Sequence, residues 1–171
     1  MAGYVGAAWG VLGVSLLLAI ASYRLARLAA IALDHALDWQ HWAGSVIFTA
    51  FMLYSEGYRG FQLSFSPMVA ARARYLRANP RLTHVVLAPA FCMGYFHATR
   101  ARRIKSTLLT IMIVIFVVLV QRIEQPWRGI VDAGVVAGLA WGLVTLVVFC
   151  HQALSRREFR YSPETPEIGQ S

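Results

Sequence analysis

The stretch "LLTIMIVIFVVLV" at residues 108–120 decides what kind of protein this is. A second apolar run, "GVVAGLAWGLVTLVVFC", occupies residues 134–150. Hydrophobic residues make up 58% of the 171-residue chain and charged residues 14%, whereas about a quarter of a typical soluble domain is charged. A soluble domain of this size cannot bury so many wholly apolar helices. The sequence therefore predicts an all-α, polytopic integral membrane helix bundle.

Working outward from these runs, the sequence predicts four transmembrane helices, at 4–23, 42–63, 104–121 and 130–151. The N-terminal run lacks the basic n-region of a signal peptide and is interpreted as a retained span. The segment 82–98 is also apolar, but it is short and is interrupted by Pro89 and Gly94. An arrangement with five spans, in which 82–98 also crosses, is therefore the alternative.

The distribution of lysine and arginine favours four spans. If 82–98 enters the membrane and returns, eleven basic residues lie on the cytoplasmic side and four outside, with Arg59 inside a span. If it crosses, the basic residues divide almost evenly between the two sides. The four-span arrangement places both termini in the cytoplasm and fits a bacterial inner membrane. It also makes residues 67–98 a basic interfacial or re-entrant segment between the second and third spans.

Two regions outside the predicted spans have recognisable local patterns. "SPMVAARARYLR" (66–77) predicts an interfacial helix with Ser66 as its N-cap, and Arg72 on its apolar side is expected to snorkel. The end of the chain, 153–171, is polar and rich in proline, and it is predicted to be a disordered cytoplasmic tail. Residues 1–152 then form the transmembrane bundle.

Glu56 and Arg59 lie inside the second predicted span, three residues apart. On an α-helix such residues are neighbours and can pair, and charged residues inside a bilayer are often functional. The order aromatic, arginine, glycine, apolar begins at Tyr58 and recurs at Trp127, where it contains Arg128. That pattern suits a headgroup phosphate. We therefore predict an intramembrane ion pair or headgroup binding by Glu56, Arg59 and Arg128, and we favour a structural pair over a catalytic site.

A second group of polar residues falls on the outer side. Asp34, Asp38 and His41 share one helical face, and Asp132 belongs to the same side of the membrane. Carboxylates and imidazole at this spacing suit a divalent metal or a proton relay, so these four residues form a candidate outer-face metal or proton site. The opposing interpretation is that they are solvated or capping residues, since the chain has no HxxxH, HExxH or CxxC pattern. No cofactor is predicted, because the histidines form no matched pair for haem.

Glycines at four-residue spacing mark two of the predicted spans. Small residues at this spacing let helices approach closely in a membrane. We therefore predict helix packing at Gly6 and Gly10 in the first span, and at Gly134, Gly138 and Gly142 in the last.

These features favour a small, non-enzymatic membrane protein of accessory, structural or assembly type. Its expected partners are anionic lipids and either other membrane subunits or further copies of itself. Nucleic acid is not expected, because the basic residues behind the net charge of +8 flank the apolar runs. The residues carry no motif that selects a known family.

Two alternative functions remain open at this point. An oligomeric transporter or channel requires Glu56, Arg59 and Asp132 to converge on a cavity. A membrane-embedded enzyme acting on lipid headgroups or quinones requires an inner-face pocket that collects Arg59, His97 and Arg100. Among motifs, neither a glycine-rich phosphate loop nor a catalytic triad is visible.

Overall fold

The computed structural model describes residues 1–156 and 158–165, and its regular structure is helical. The elements, in chain order, are α1 (Ala2–Ile31), a 3-10 turn (Ala32–Asp34), α2 (Trp39–Met52), a π-helical segment (Leu53–Phe65), α3 (Ser66–Ala78), α4 (Leu82–Val86), α5 (Ala88–Cys92), α6 (Arg100–Val120) and α7 (Trp127–Ser155). Within these residues there is no strand, in agreement with the predicted all-α class.

Three helical stretches are long and apolar enough to cross a membrane: Ala2–Asp34, Arg100–Val120 and Trp127–Ser155. They contain three of the four predicted spans. The predicted span 42–63 does not qualify by itself, because α2 has only 14 residues and then continues into the polar π-helical segment. The structure therefore shows a membrane-type helical protein.

The helical backbone continues without a break from α2 through the π-helical segment into α3. Leu53 and Ser66, at the two junctions, both have right-handed helical dihedrals. We call this continuous run, residues 39–78, the second pass. A π-helix is normally a single-turn bulge, so a segment of 13 residues is unusual.

The second pass runs antiparallel to α7 along its whole length. Near the start of α7, Gly44 packs on Trp127, and an ideal Cβ on that glycine would lie 2.8 Å from the ring. At the other end, Arg77 Nη1 donates to the carbonyl of Leu154 at 2.8 Å. Each end of the second pass therefore meets the opposite end of α7.

Helix α1 is antiparallel to α7 as well. Ala32, just beyond the end of α1, touches Gly129 near the start of α7, and Gly3 packs against the carbonyl of Arg77. The start of α1 and the end of α7 therefore lie together, at what we call the terminal end of the bundle. Glycine faces make these approaches close, as expected for membrane helices.

Helix α6 stands apart from this bundle. Every residue from 107 to 119 is exposed, although this is the most apolar run in the chain. The side-chain hydrogen bonds of α6 to other segments lie near its start, where Ser106 Oγ donates to the carbonyl of Met93 at 3.0 Å and Tyr95 hydrogen-bonds Thr110, and at its other end Val120 is buried. Beyond its first three turns, α6 therefore offers an apolar surface on all sides.

The core lies at the terminal end and is built on α3, which corrects the expectation of an interfacial helix. Residues 66–73 are buried on every side, because α1, α5 and α7 surround α3. Ser66 is not an N-cap, since the helix already continues through it. Its hydroxyl instead shares a 3.0 Å hydrogen bond with Thr145 of α7.

The segment 82–98 enters the bundle and returns to the same end. It contains α4 and α5, five residues each, which pack on the first half of α1. Pro89 reaches as far as Gly13, and the chain then turns back through Gly94 (φ 82°) and His97 (φ 48°). Positive φ is strained for a residue with a side chain, so His97 is held there by its surroundings.

Candidate functional site

The most tightly held charge in the protein is Arg72, at the centre of α3. Its side chain is fully buried, with 0% exposure, so it does not snorkel as the sequence predicted. Nε donates to the carbonyl of Phe91 at 2.6 Å, and Nη2 donates to those of Phe96 at 2.8 Å and His97 at 3.1 Å. Nη1 donates to the carbonyl of Pro163 at 2.9 Å. Four of its five N–H groups are thus used by its own backbone. We call Arg72 and these four acceptor residues the Arg72 junction.

Aromatic rings surround this guanidinium. Arg72 Cζ lies 4.2 Å from the centroid of the Phe91 ring, and the His84 ring stacks on Phe91 at 4.8 Å. His97 approaches His84 at 4.7 Å between centroids. The rings and carbonyls replace the water that this cation has lost.

The end of the chain closes the junction. Besides the Pro163 carbonyl, the carbonyl of Glu164 accepts from Thr99 N–H at 3.0 Å, and its carboxylate lies 3.8 Å from Arg102. The Tyr161 ring packs edge-on against Phe149 of α7 at 5.7 Å. Residues 158–165 of the predicted disordered tail are therefore placed against the bundle. Residues 153–155 belong to α7, and Arg157 and 166–171 lie outside the described residues.

The structure separates Glu56 from Arg59, which the sequence predicted as a pair. The carboxylate of Glu56 faces α7, and an ideal Cβ on Gly138 would lie 3.2 Å from its Oε2. The side chain of Arg59 is exposed on the outside of the second pass. Hydrogen bonds in a π-helix run from residue i to i+5, so residues three apart diverge, unlike those of an α-helix. Within the described part of the chain, no ion pair joins the two side chains.

Arg128, the third residue of that prediction, has a local partner. Its Nε lies 3.8 Å from Oδ2 of Asp132, one turn further along α7. Asp132 is almost fully buried, so Arg128 is the cation that lies beside this buried carboxylate at the start of α7. The corresponding positions in the two aromatic–arginine–glycine stretches therefore differ, because Arg128 is paired and Arg59 is not.

Of the predicted outer-face residues, Asp38 and His41 cap a helix, and the other two lie apart from them. Asp38 accepts from the backbone N–H of His41, and His41 Nδ1 accepts from the N–H of Asp38 at 3.1 Å, which forms a capping box for α2. Asp34 is exposed in the 3-10 turn, and Asp132 is bound to Arg128. In the part of the chain that the structure describes, no group of three or more His, Cys, Asp or Glu residues is arranged to hold a metal.

All five predicted packing glycines are buried at helix contacts. Their neighbours are Leu76 and Val85 for Gly6, Ala88 and Cys92 for Gly10, Phe48 for Gly134, Glu56 for Gly138 and Phe61 for Gly142. An ideal Cβ on Gly142 would lie 2.5 Å from the Phe61 ring, as near as one on Gly134 would lie to the Phe48 ring. Both glycines therefore let the second pass approach α7 closely.

The residues that transport or catalysis would need do not come together. Glu56 faces α7, Arg59 points outward and Asp132 is held by Arg128. A cleft of about 870 Å³ lies between α3 and residues 158–163, and neither Arg59, His97 nor Arg100 lines it. The three residues named for a transporter therefore have separate surroundings, and this cleft is not the pocket that the enzymatic alternative requires.

Sequence reasoning missed the Arg72 junction, because its acceptors are 19 to 91 residues away in the chain. The available signal was Arg72 on the apolar side of α3, which we interpreted from the sequence as an arginine that snorkels to the lipid surface.

Comparison of the chain with protein-family models, with curated proteins and with solved structures finds no match.

Proposed function

We propose that this chain is a small, multi-spanning membrane protein of accessory or structural type, which packs against partner helices and anionic lipid and catalyses no reaction. The observation that carries the proposal is α6, whose residues 107–119 are exposed on every side. This helix contributes almost nothing to the packing of its own bundle. Its apolar surface is available to another membrane protein.

The membrane arrangement that we propose has four spans with both termini in the cytoplasm of a bacterium. Helices α1 and α7 and the second pass run along the length of the bundle, α6 is a further helix long and apolar enough to span, and the antiparallel contacts of α7 support this order. Two helices of five residues, each about 7.5 Å long, are too short to make 82–98 a fifth span. The excess of arginine at the terminal end favours the cytoplasmic side for that end.

The Arg72 junction supports a structural role over an enzymatic one. Its buried cation uses its donors on the backbone of its own chain and so holds α3, the segment 82–98 and residues 158–165 together. The basic residues around this end lie where anionic headgroups would meet them. We therefore assign this end to lipid contact and to holding the fold.

Photo-crosslinking along α6 tests the proposed function. A photoreactive amino acid is placed in turn at each position from 108 to 119, and at Leu12, Leu16 and Ile20 as exposed controls on α1. We expect protein adducts at α6 positions that recur every three or four residues, as one face of a helix requires. Lipid adducts alone, around the whole of α6, would contradict the proposal.

The proposed arrangement is tested separately by reporters fused to each terminus. We expect both to be active in the cytoplasm and the protein to be extracted only with detergent. A C-terminus on the outer side overturns the four-span arrangement, whatever the outcome of the crosslinking.

A further inference from the structure

Arg59 lies at the middle of the bundle rather than near one end. Its neighbours fix this level, because Gly57 packs on Trp141 and Gln62 Oε1 accepts from Trp141 Nε1 at 2.9 Å. Trp141 is the middle residue of α7, Trp127–Ser155, and lies about 21 Å from each end at 1.5 Å per residue. A bilayer about 30 Å thick and centred on α7 therefore places Arg59 deep in the hydrocarbon.

Among the described residues, Arg59 has no counter-charge at this depth. Its side chain is exposed on the outer face of the second pass, and in the described residues it forms neither an ion pair nor a hydrogen bond. The carboxylate of Glu56 lies beside Gly138 of α7 on one side, but the residue is only half-buried, and in the described residues it has neither a hydrogen-bonding nor an ionic partner. A charge exposed to hydrocarbon is costly, so both groups require a partner that the single chain does not supply.

A second copy of the same chain supplies both missing partners at once. Glu56 and Arg59 are three residues apart, so they differ by less than about 4.5 Å in depth. When two parallel copies are related by a two-fold axis along the membrane normal, the arginine of each lies near the level of the acid of the other. Such a contact is self-complementary and forms two ion pairs.

The same face allows the close approach that such pairs need. Gly60 and Ser64 are exposed, four residues apart and next to Arg59. Small residues at this spacing let two membrane helices come together. Lipid phosphates lie about 15 Å from the bilayer centre, at the edge of the hydrocarbon, which makes them poor partners for a group at mid-depth.

We propose that the chain forms a parallel two-fold dimer through the second pass, in which Arg59 of each copy binds Glu56 of the partner subunit. A different partner protein carrying one acid would satisfy Arg59 but leave Glu56 unpaired. The proposal rests on the membrane arrangement proposed above, and it does not depend on what binds α6.

Complementary charge-swap variants test the dimer. Glu56→Arg and Arg59→Glu are made in chains with different affinity tags, and each is co-expressed either with itself or with the other. The two variants repel their own copies, since each then carries two like charges at one depth. Mixed together they attract, because the two basic side chains of one face the two acidic side chains of the other.

We expect wild-type chains with different tags to co-purify in mild detergent. Self-capture of each variant should fall at least tenfold, and the mixture should recover capture to within about twofold of wild type. Arg103→Glu, a swap at an exposed arginine outside this face, should leave capture unchanged. No capture between wild-type chains, or no recovery in the mixture, overturns the dimer. So does Arg59-dependent capture of another protein by a chain that does not capture itself.

A disulfide experiment avoids the charge changes in case those variants fail to fold. Ser64→Cys is introduced into a chain whose own buried cysteines, Cys92 and Cys150, are replaced by alanine. We expect oxidation in native membranes to give a covalent dimer, while Leu12→Cys on α1 in the same background gives none. Equal crosslinking at both positions, or none at Ser64→Cys, contradicts the proposed face. Partner adducts along α6 bear only on the accessory function, so the two proposals fail separately.

Discussion

Replacing Arg72 with methionine removes the guanidinium and leaves most of the side-chain volume in place. Four backbone carbonyls then lose a hydrogen bond, those of Phe91, Phe96, His97 and Pro163, although that of Phe91 still accepts from the N–H of Gly94. An unsatisfied buried acceptor costs about 1–3 kcal/mol. Part of that sum is offset, because the variant no longer has to bury a cation. We therefore expect the free energy of unfolding to fall by about 3–5 kcal/mol, which is the range for removing one member of a buried ion pair.

The two buried cysteines make this loss measurable in detergent. Cys92 is 0% exposed and Cys150 3%, so a thiol-reactive fluorophore labels them as the protein opens on heating. For a chain of this size 1 kcal/mol shifts Tm by about 2–4 °C, so Arg72→Met should lower Tm by about 6–20 °C. Arg103→Met, at an exposed arginine, is the matched control and should shift Tm by no more than about 2 °C.

Two further measurements locate the effect. At low temperature, Cys92 should react faster in Arg72→Met than in the wild type while Cys150 stays protected, because the released carbonyl of Phe91 adjoins Cys92. Arg72→Lys keeps the charge but not the planar fork, so it should recover less than half of the lost stability. A Tm equal to that of the control, or full recovery with lysine, would refute the idea that the carbonyl bonds hold the junction together.

Three other outcomes follow from the packing of the helices. Gly142→Ala places its Cβ against the Phe61 ring and should lower the free energy of unfolding by about 1–3 kcal/mol. Gly138→Ala meets the movable carboxylate of Glu56 and should lower it by less. Equal shifts of Tm in the two variants would contradict these contacts. Asp38→Ala should lower the free energy of unfolding by about 1 kcal/mol, because the α2 cap is lost, and Asp38→Asn should lower it much less. Neither zinc nor a chelator should change Tm. A metal-dependent shift of Tm would instead support a metal site at these residues. Gln62→Leu removes the acceptor of Trp141 Nε1, so it should lower the free energy of unfolding by about 1 kcal/mol and change the tryptophan fluorescence. A variant with unchanged stability and fluorescence would show that lipid or water replaces this hydrogen bond.

Much of the candidate site was beyond the reach of sequence reasoning for a geometric reason. The pairing of Glu56 with Arg59 assumed the α-helical repeat, and the i to i+5 hydrogen bonds of the π-helical segment point the two side chains in different directions. No local pattern of residues indicates 13 residues of π-helix. Their level along the bundle was also not given by the sequence, because it depends on which residues of α7 lie opposite them.

The prediction for α3 failed because it assumed a lipid surface. The alternation of apolar and basic residues in 66–77 is that of a helix with one exposed face. The structure covers the apolar side, which carries Arg72, with protein instead of lipid: the returning segment 82–98 and residues 158–165 supply the carbonyls that bind its guanidinium. A pattern of polarity shows which side chains prefer water, but it does not show which distant segment will replace that water.

The sequence by itself determined the membrane class, three long apolar helices and the glycines at which helices meet. These are local properties, since hydrocarbon accepts only runs of apolar residues with internally bonded backbone, and close packing needs small side chains at helical spacing. Tertiary structure alone decided that Arg72 is satisfied by carbonyls up to 91 residues away, and that Arg59 is exposed at the level of Trp141, the middle of α7. Both depend on how distant segments align along α7, and that alignment results from the packing of the whole bundle.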